Sequence, residues 1–187
     1  FYEYAQKKEI IDDEAPNGIV IVTIDKAGDE IIRIMNESQL PYIHDPKAPR
    51  FLLMDKQGKF ALGIGGYVRA TGEYDFGGIV DDIDFVPANI PSSSKIKNQF
   101  QMDASTATIF LKLVGHTRLL GDFTVYTAGN FRGGDKTFQL RNAYMSFRNI
   151  TVGYTYGGFM DLGALPSTID FQGPNGATFY RATQLSY

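Results

Sequence analysis

The sequence predicts an all-β protein, an antiparallel up-and-down transmembrane β-barrel. Three observations carry that reading. Residues 59–76, KFALGIGGYVRATGEYDF, alternate between two faces over far more than the ~5–6 residues of an ordinary strand. The connectors between strand-like runs are short on one side of the implied sheet and mostly long on the other, as in barrels with short periplasmic turns and longer outer loops. Mean hydropathy is -0.17, near neutral, as expected of strands that set lipid-facing residues against lumen-facing ones.

Within 59–76 the even positions are apolar or small, from Phe60, Leu62 and Ile64 to Tyr74 and Phe76. The odd positions include Lys59, Arg69, Thr71, Glu73 and Asp75. Successive side chains of a strand point to opposite faces, so this is one long two-faced strand. Phe60 at one end and Tyr74 and Phe76 at the other sit where interfacial aromatic girdles belong. A half-buried strand of a soluble sandwich shows the same alternation, so the remaining elements have to decide.

Residues 1–58 differ in character. Residues 1–14 are charged, and 18–25, GIVIVTID, form a short apolar β-rich run before the turn signal DKAGDE. The run EIIRIM at 30–35 follows. A hairpin is the simplest reading, and a strand followed by a helical turn is the alternative. Pro41, Pro46 and Pro49 mark 41–50 as an extended linker. Residues 1–58 therefore read as a periplasmic or plug-like extension, and 59–187 as the first part of a barrel. The chain opens on Phe1 without a leader, so it is expected to be processed or trimmed.

After Phe76 a long loop runs over 77–97, with two Pro, three consecutive Ser and the acidic residues Asp81, Asp82 and Asp84. That cluster lacks the glycine and terminal glutamate of a calcium loop and reads as a solvated surface. A second long strand covers 98–114, with its alternation slipping near Ser105 and Thr106 as at a bulge. His116 falls in the short connector 116–121 and reads as a turn residue. Strands follow at 122–131, 137–148 and 151–160, joined by turns at 132–136 and 149–150. A second long loop, 161–178, leads to a sixth strand at 179–187. Both long loops fall on one side, and a soluble sandwich has no reason to segregate loop length in that way. Single-chain barrels start at about eight strands, and open edges in lipid leave backbone groups unpaired. The missing strands are therefore expected outside these residues, in a protein about twice as long.

The chemistry narrows the function classes. There is no Cys, and the only histidines are His44 and His116, so neither a thiolate nor a His-based metal site is expected. A net charge of -3 gives no case for nucleic acid. No nucleophile–base pair, carboxylate dyad or phosphate loop stands out, so neither an enzyme nor a cofactor is expected. Gly63-Ile64-Gly65-Gly66 is not a dinucleotide loop, because no helical pattern follows it. What remains is a pore, in which inward polar side chains hydrate a lumen and charges set selectivity. By parity the lumen candidates are Arg69, Thr71, Glu73, Asp122 and Thr124. The loop 161–178, with Asp161, Asp170 and Asn175, either folds inward as a constriction or caps a contact between subunits. Two other classes stay open: a soluble lipocalin-like binding barrel, with apolar residues inward, and a non-conducting outer-membrane assembly or structural component.

The segments IGGYVRATGEYDF, DDIDFVPANIP, GDFTVYTAGNF, TFQLRNAYMSF, VGYTYGGFMDL, ALPSTIDFQGPNG and TFYRATQLSY, in that order, resemble the DcaP-like porins of Gram-negative outer membranes. The resemblance implies a homotrimer of sixteen-stranded diffusion channels in contact with outer-membrane lipid, passing small hydrophilic and preferentially anionic solutes. It adds Arg141 and Arg181 to the lumen candidates by family position. The N-terminal coiled coil common in the family has no counterpart, because 1–58 carry no sustained heptads. The second strand departs from the family: where an arginine-bearing run is typical, this chain has Ser105, Thr106, Ala107, Thr108 and Ile109. In the final strand Arg181 is followed by Ala182 and Thr183 rather than Gln and Pro. The expected anion preference is therefore weak or absent.

Overall fold

A computed structural model describes residues 19–23, 28–36, 51–77, 82–83, 90, 98–158, 160, 164 and 180–187. Among the described residues the strands are β1 (Ile19–Thr23), β2 (Phe51–Asp55), β3 (Phe60–Tyr67), β4 (Thr71–Asp75), β5 (Gln99–Asp103), β6 (Thr108–Thr117), β7 (Gly121–Asn130), β8 (Gln139–Phe147), β9 (Ile150–Tyr156) and β10 (Arg181–Ser186), with one α-helix, α1 (Asp29–Asn36). Eight strands form one sheet in the order β1-β2-β3-β6-β7-β8-β9-β10, and β4 and β5 form a separate two-stranded ribbon. Every pairing is antiparallel. This is up-and-down order with a ribbon inserted between β3 and β6. β1 and β10 lie at the two edges of the sheet, so the barrel is open among the described residues.

Each of the two longest predicted strands divides in two. Residues 68–70 leave the strand between β3 and β4, and 104–107 leave it between β5 and β6. The second break has a local cause. The Asp103 carboxylate accepts from the Ser105 amide at 2.9 Å and from its hydroxyl at 2.6 Å. Such side-chain bonds offer the backbone an alternative to the ladder, and Ala107 N–H closes a turn onto the Ala104 carbonyl at 3.0 Å. The slip expected at Ser105 and Thr106 is this turn.

The predicted N-terminal hairpin is not formed. β1 pairs with β2 instead, and the run after it is α1. The sequence DEIIRIMN spaces Ile31, Ile34 and Met35 on one helical face. All three are buried against Leu52, Met54, Ala61 and Val114, so helical spacing matched to an apolar patch on the sheet decides against a strand.

The turns gather by length as expected. Gly58 (φ 66°), Gly121 (φ 71°) and Arg148 (φ 51°) occupy the left-handed region in the β2–β3, β6–β7 and β8–β9 turns, all at one end of the sheet, here the turn end. The β8–β9 turn is Arg148-Asn149, one residue earlier than predicted. The opposite, loop end carries the β4–β5 ribbon and the connectors after β7 and β9. β6 and β7 have 10 residues each. At ~3.4 Å per residue and a tilt of about 40° they span roughly 25 Å, the height of the apolar band of an outer-membrane barrel.

Candidate functional site

The register assigns every strand residue to one of two faces. Leu62, Leu113, Val125, Met145, Val152 and Leu185 form one cross-strand row. Ile64 and Leu111 join the same face one step nearer the loop end, and Gly66 and Ile109 a step beyond. The opposite face holds the row Val114, Thr124, Ser146, Thr151 and the row Gly63, Lys112, Tyr126, Tyr144, Gly153. The apolar face is the exposed one: Ile64 is 55% exposed, Ile109 49% and Leu185 74%. On the polar face Lys112 is 1% exposed, Thr124 and Thr155 0% and Ser146 2%. Buried polar groups need partners. Ser146 and Thr151 hydroxyls meet at 2.8 Å, and Thr155 donates to Asn142 at 3.3 Å.

Aromatic rings bound the apolar face. At the turn end Phe60 and Phe147 flank Phe123 across Gly115, and the Phe60 and Phe123 rings lie 6.0 Å apart. A Cβ at Gly115 would meet both rings within 3.0 Å, so glycine gives Phe123 its seat. The ribbon carries the same two-faced pattern past the loop end. Tyr74, Phe76, Phe100 and Met102 are exposed, while Glu73 accepts from Gln101 at 3.1 Å on its other side.

The predicted lumen residues fall in three places. Thr71 and Glu73 lie on the more covered face of the ribbon, and Arg69 is exposed in the break before it. Asp122 and Thr124 stand on the polar face at the turn end. Asp122 accepts from Arg33 of α1 at 2.5 Å and meets His116 Nδ1 at 2.6 Å. His116 is thus a strand residue paired with Asp122, not a turn residue. Thr124 is fully buried, and its hydroxyl has no hydrogen-bond partner among the described residues. α1 packs on the same face, against Val114 beside it. Arg181 pairs with Tyr156, on the parity of Val152 and Leu185, which is the apolar face rather than the one expected for it. Arg141 takes the same face if the β8–β9 register is continued from Ala143↔Tyr154. On β8 Arg141 has the parity of Ala143 and Met145, which sets its face; a bulge lies beside it, since Ala128 pairs with Asn142 but Gly129 with Leu140, leaving Arg141 as the extra residue. Asp161, Asp170 and Asn175 lie outside the described residues.

Sequence reasoning missed four cations that the fold positions. Lys112 is buried mid-strand between Leu111 and Leu113, and a lone charge within an apolar run was its signal. Arg33 anchors α1. Arg132, with a side chain only 9% exposed, grips Asp82 through both carboxylate oxygens at 3.0 Å and lies 3.9 Å from Asp103. Lys136 also binds Asp103. Burial alone would raise the Asp103 carboxyl, but the bonds from Lys136 and Ser105 outweigh it and hold that group below the usual carboxylate range. This cluster ties Asp82 to the turn after β7 at the loop end. Among the described residues no group of His, Asp and Glu is placed to hold a metal ion.

No family model matches the sequence, and no curated protein does. The fold is similar to that of the outer membrane channel DcaP of Acinetobacter baumannii, with a TM-score of 0.57 and 21% identity. The match covers 70% of this chain and 37% of that one, so the chain spans little more than a third of that channel's length. The fold class is accordingly that of an antiparallel β-barrel, in agreement with the sequence.

Proposed function

We propose that this chain forms part of an outer-membrane diffusion channel for small hydrophilic solutes in a Gram-negative bacterium, assembled as a homotrimer. One observation carries the reading: one face of the sheet is apolar and exposed, with Ile64, Ile109, Leu111, Val152 and Leu185 open, while Thr124, Ser146, Thr151 and Thr155 are buried on the other face beside Phe110, Tyr126 and Tyr144. A soluble lipocalin-like barrel points its apolar residues inward, so this arrangement speaks against that class. Strand length and the aromatic rows match a lipid-facing band of roughly 25 Å. The fold shared with a solved channel supports the same conclusion.

α1 favours a narrower version of the channel. It covers the polar face at the turn end, held by Arg33 and Asp122, and acts as a plug that reduces the lumen there. Selectivity follows from the charges left on the polar side. Arg132 is engaged by Asp82 and Asp103, while Arg141 and Arg181 stand on the other face. With Lys112 buried and Arg33 paired with Asp122 on the polar side, little positive charge is left open to the lumen to favour anions, and a weak or absent anion preference is proposed. The test is reconstitution into planar bilayers. Detergent-dependent purification and discrete conductance steps are expected, with a reversal potential near zero across a salt gradient. A protein that purifies without detergent and leaves the bilayer silent overturns the channel. A strongly anion-selective reversal potential overturns only the selectivity.

A further inference from the structure

Two arginines on a lipid-facing surface need an explanation, and the geometry around them provides one. Arg181 pairs with Tyr156, and two residues beyond the pair Ala143↔Tyr154 the register brings Arg141 opposite Tyr156 from the other side. The contact of Thr155 with Asn142 at 3.3 Å fixes that continuation. The two arginines thus flank one tyrosine, about two strand spacings or ~10 Å apart. The Arg181 guanidinium carbon lies 3.9 Å from the Tyr156 ring centroid, and the same group donates to the Tyr156 hydroxyl. Arg141 donates to the Gln139 side-chain amide oxygen at 3.5 Å. Among the described residues no carboxylate pairs with either arginine. Two like charges held side by side without a counter-charge favour an anion between them. The planar donor fork of arginine suits phosphate oxygens, and stacking on a ring fixes its orientation.

We propose that Arg141, Tyr156 and Arg181 form a binding site for the phosphate of an outer-leaflet lipid headgroup. The proposal rests on the membrane reading above. The site lies at the loop end of the apolar face, and long loops mark the outer side of such barrels. Tyr154, Val152 and Leu185 continue from it towards the turn end on the same face, giving acyl chains a surface directly below the phosphate. That continuity selects a lipid over free phosphate.

The experiment uses the full protein in detergent. Retention of diphosphoryl lipid A is measured by native mass spectrometry, with its dephosphorylated counterpart and inorganic phosphate as comparisons. The wild type is expected to retain the phosphorylated lipid and release the dephosphorylated one. The R141Q/R181Q variant should lose about tenfold in retention, the scale of a charge-assisted bidentate contact. The R141K/R181K variant keeps the charge but loses the planar fork and its stacking on Tyr156, so it should lose several-fold in retention; it replaces the glutamine pair if that fails to fold, and unchanged retention in it overturns the site. Equal retention of both lipids by the wild type, or unchanged retention in the glutamine variant, overturns the site. Inorganic phosphate displacing the lipid at equal concentration overturns the lipid as the ligand. Insertion into vesicles is scored separately: failure of the wild type to insert overturns the membrane reading and this site together, whereas insertion without phosphate-dependent retention overturns the site alone.

Discussion

The row Val114, Thr124, Ser146, Thr151 and the row beside it, Leu113, Val125, Met145, Val152, Leu185, run one residue apart along the same strands. Thr124 and Ser146 in the first are almost wholly buried, whereas Val152 and Leu185 in the second are 41% and 74% exposed. In a water-soluble sheet the hydroxyls would face solvent and the valines would pack. The reversed order shows that burial inside the fold and hydrophobicity have been separated. The apolar row suits a solvent other than water, as the proposed channel requires; in the other row Ser146 and Thr151 bond each other, while Thr124 is buried without a hydrogen-bond partner among the described residues.

The sharpest way to break this comparison is a charge at the centre of the exposed row's face. Leu111 is 42% exposed in the middle of β6. Leu111→Arg is expected to cost about 2–4 kcal/mol near a bilayer midplane, against roughly 0.5 kcal/mol at an ordinary wet surface. Urea unfolding from phospholipid vesicles measures the difference, and the smaller value would mean that this face meets water. The buried polar side is probed next by Arg132→Ala. Loss of charge-assisted bonds to Asp82, with Asp103 left beside a void, should cost about 1.5–3 kcal/mol, read in the same assay. An unchanged midpoint would make the cluster ornamental.

Acid sharpens the same point at Asp103. Its carboxyl is held below the usual range in the folded protein, so its contribution is present above the unfolded value of ~3.9 and disappears as pH falls through the folded value. Exchange protection of the Ser105 amide, corrected for intrinsic rate, should stay flat from neutral pH to about 4 and fall below it. A fall already at pH 6 would point to a histidine instead. The smallest effect on stability is expected from Arg33→Ala. That pair is partly exposed, at 44% and 32%, and should contribute about 0–1 kcal/mol. Its signature is conductance, which should rise as α1 loosens from the polar face. Conductance equal to wild type would remove α1 from the pore.

Much of this was legible in the sequence because alternation, unlike packing, is written residue by residue. The strands at 122–131 and 137–148 and the distribution of connectors were readable, whereas 98–114 read as one strand and forms β5 and β6 in separate sheets. So was the irregularity near Ser105, since Asp103, Ser105 and the slipped parity lie side by side. The face of Arg141 and Arg181 was not, because those strands alternate too weakly to show which parity faces which way, and only the pairing with β9, through Ala143↔Tyr154 and Arg181↔Tyr156, settles it. The helix over Asp29–Asn36 competed with a strand reading because the apolar run Ile31, Ile32, Ile34, Met35 is too short and too uniform to fix a period, and only the distant partners Leu52, Ala61 and Val114 settle it. The grip of Arg132 on Asp82 spans 50 positions and leaves no local trace.

The departures from regular pairing share one contour. Tyr67 faces Thr108, Thr108 faces Asn130 and Asn130 faces Gln139; past that line lie the breaks at 68–70 and 104–107 and the 3-10 turn at Gly134–Lys136, and the extra residue Arg141 lies two residues inside it. Further towards the turn end the β6–β7, β7–β8 and β8–β9 ladders run without a register shift. A residue gained or lost beyond it re-phases only a strand tip, whereas the same change below it would turn a whole strand inside out. The contour therefore works as a tide line for sequence drift: insertions and deletions can accumulate on the loop side of the sheet while the band beneath keeps its length.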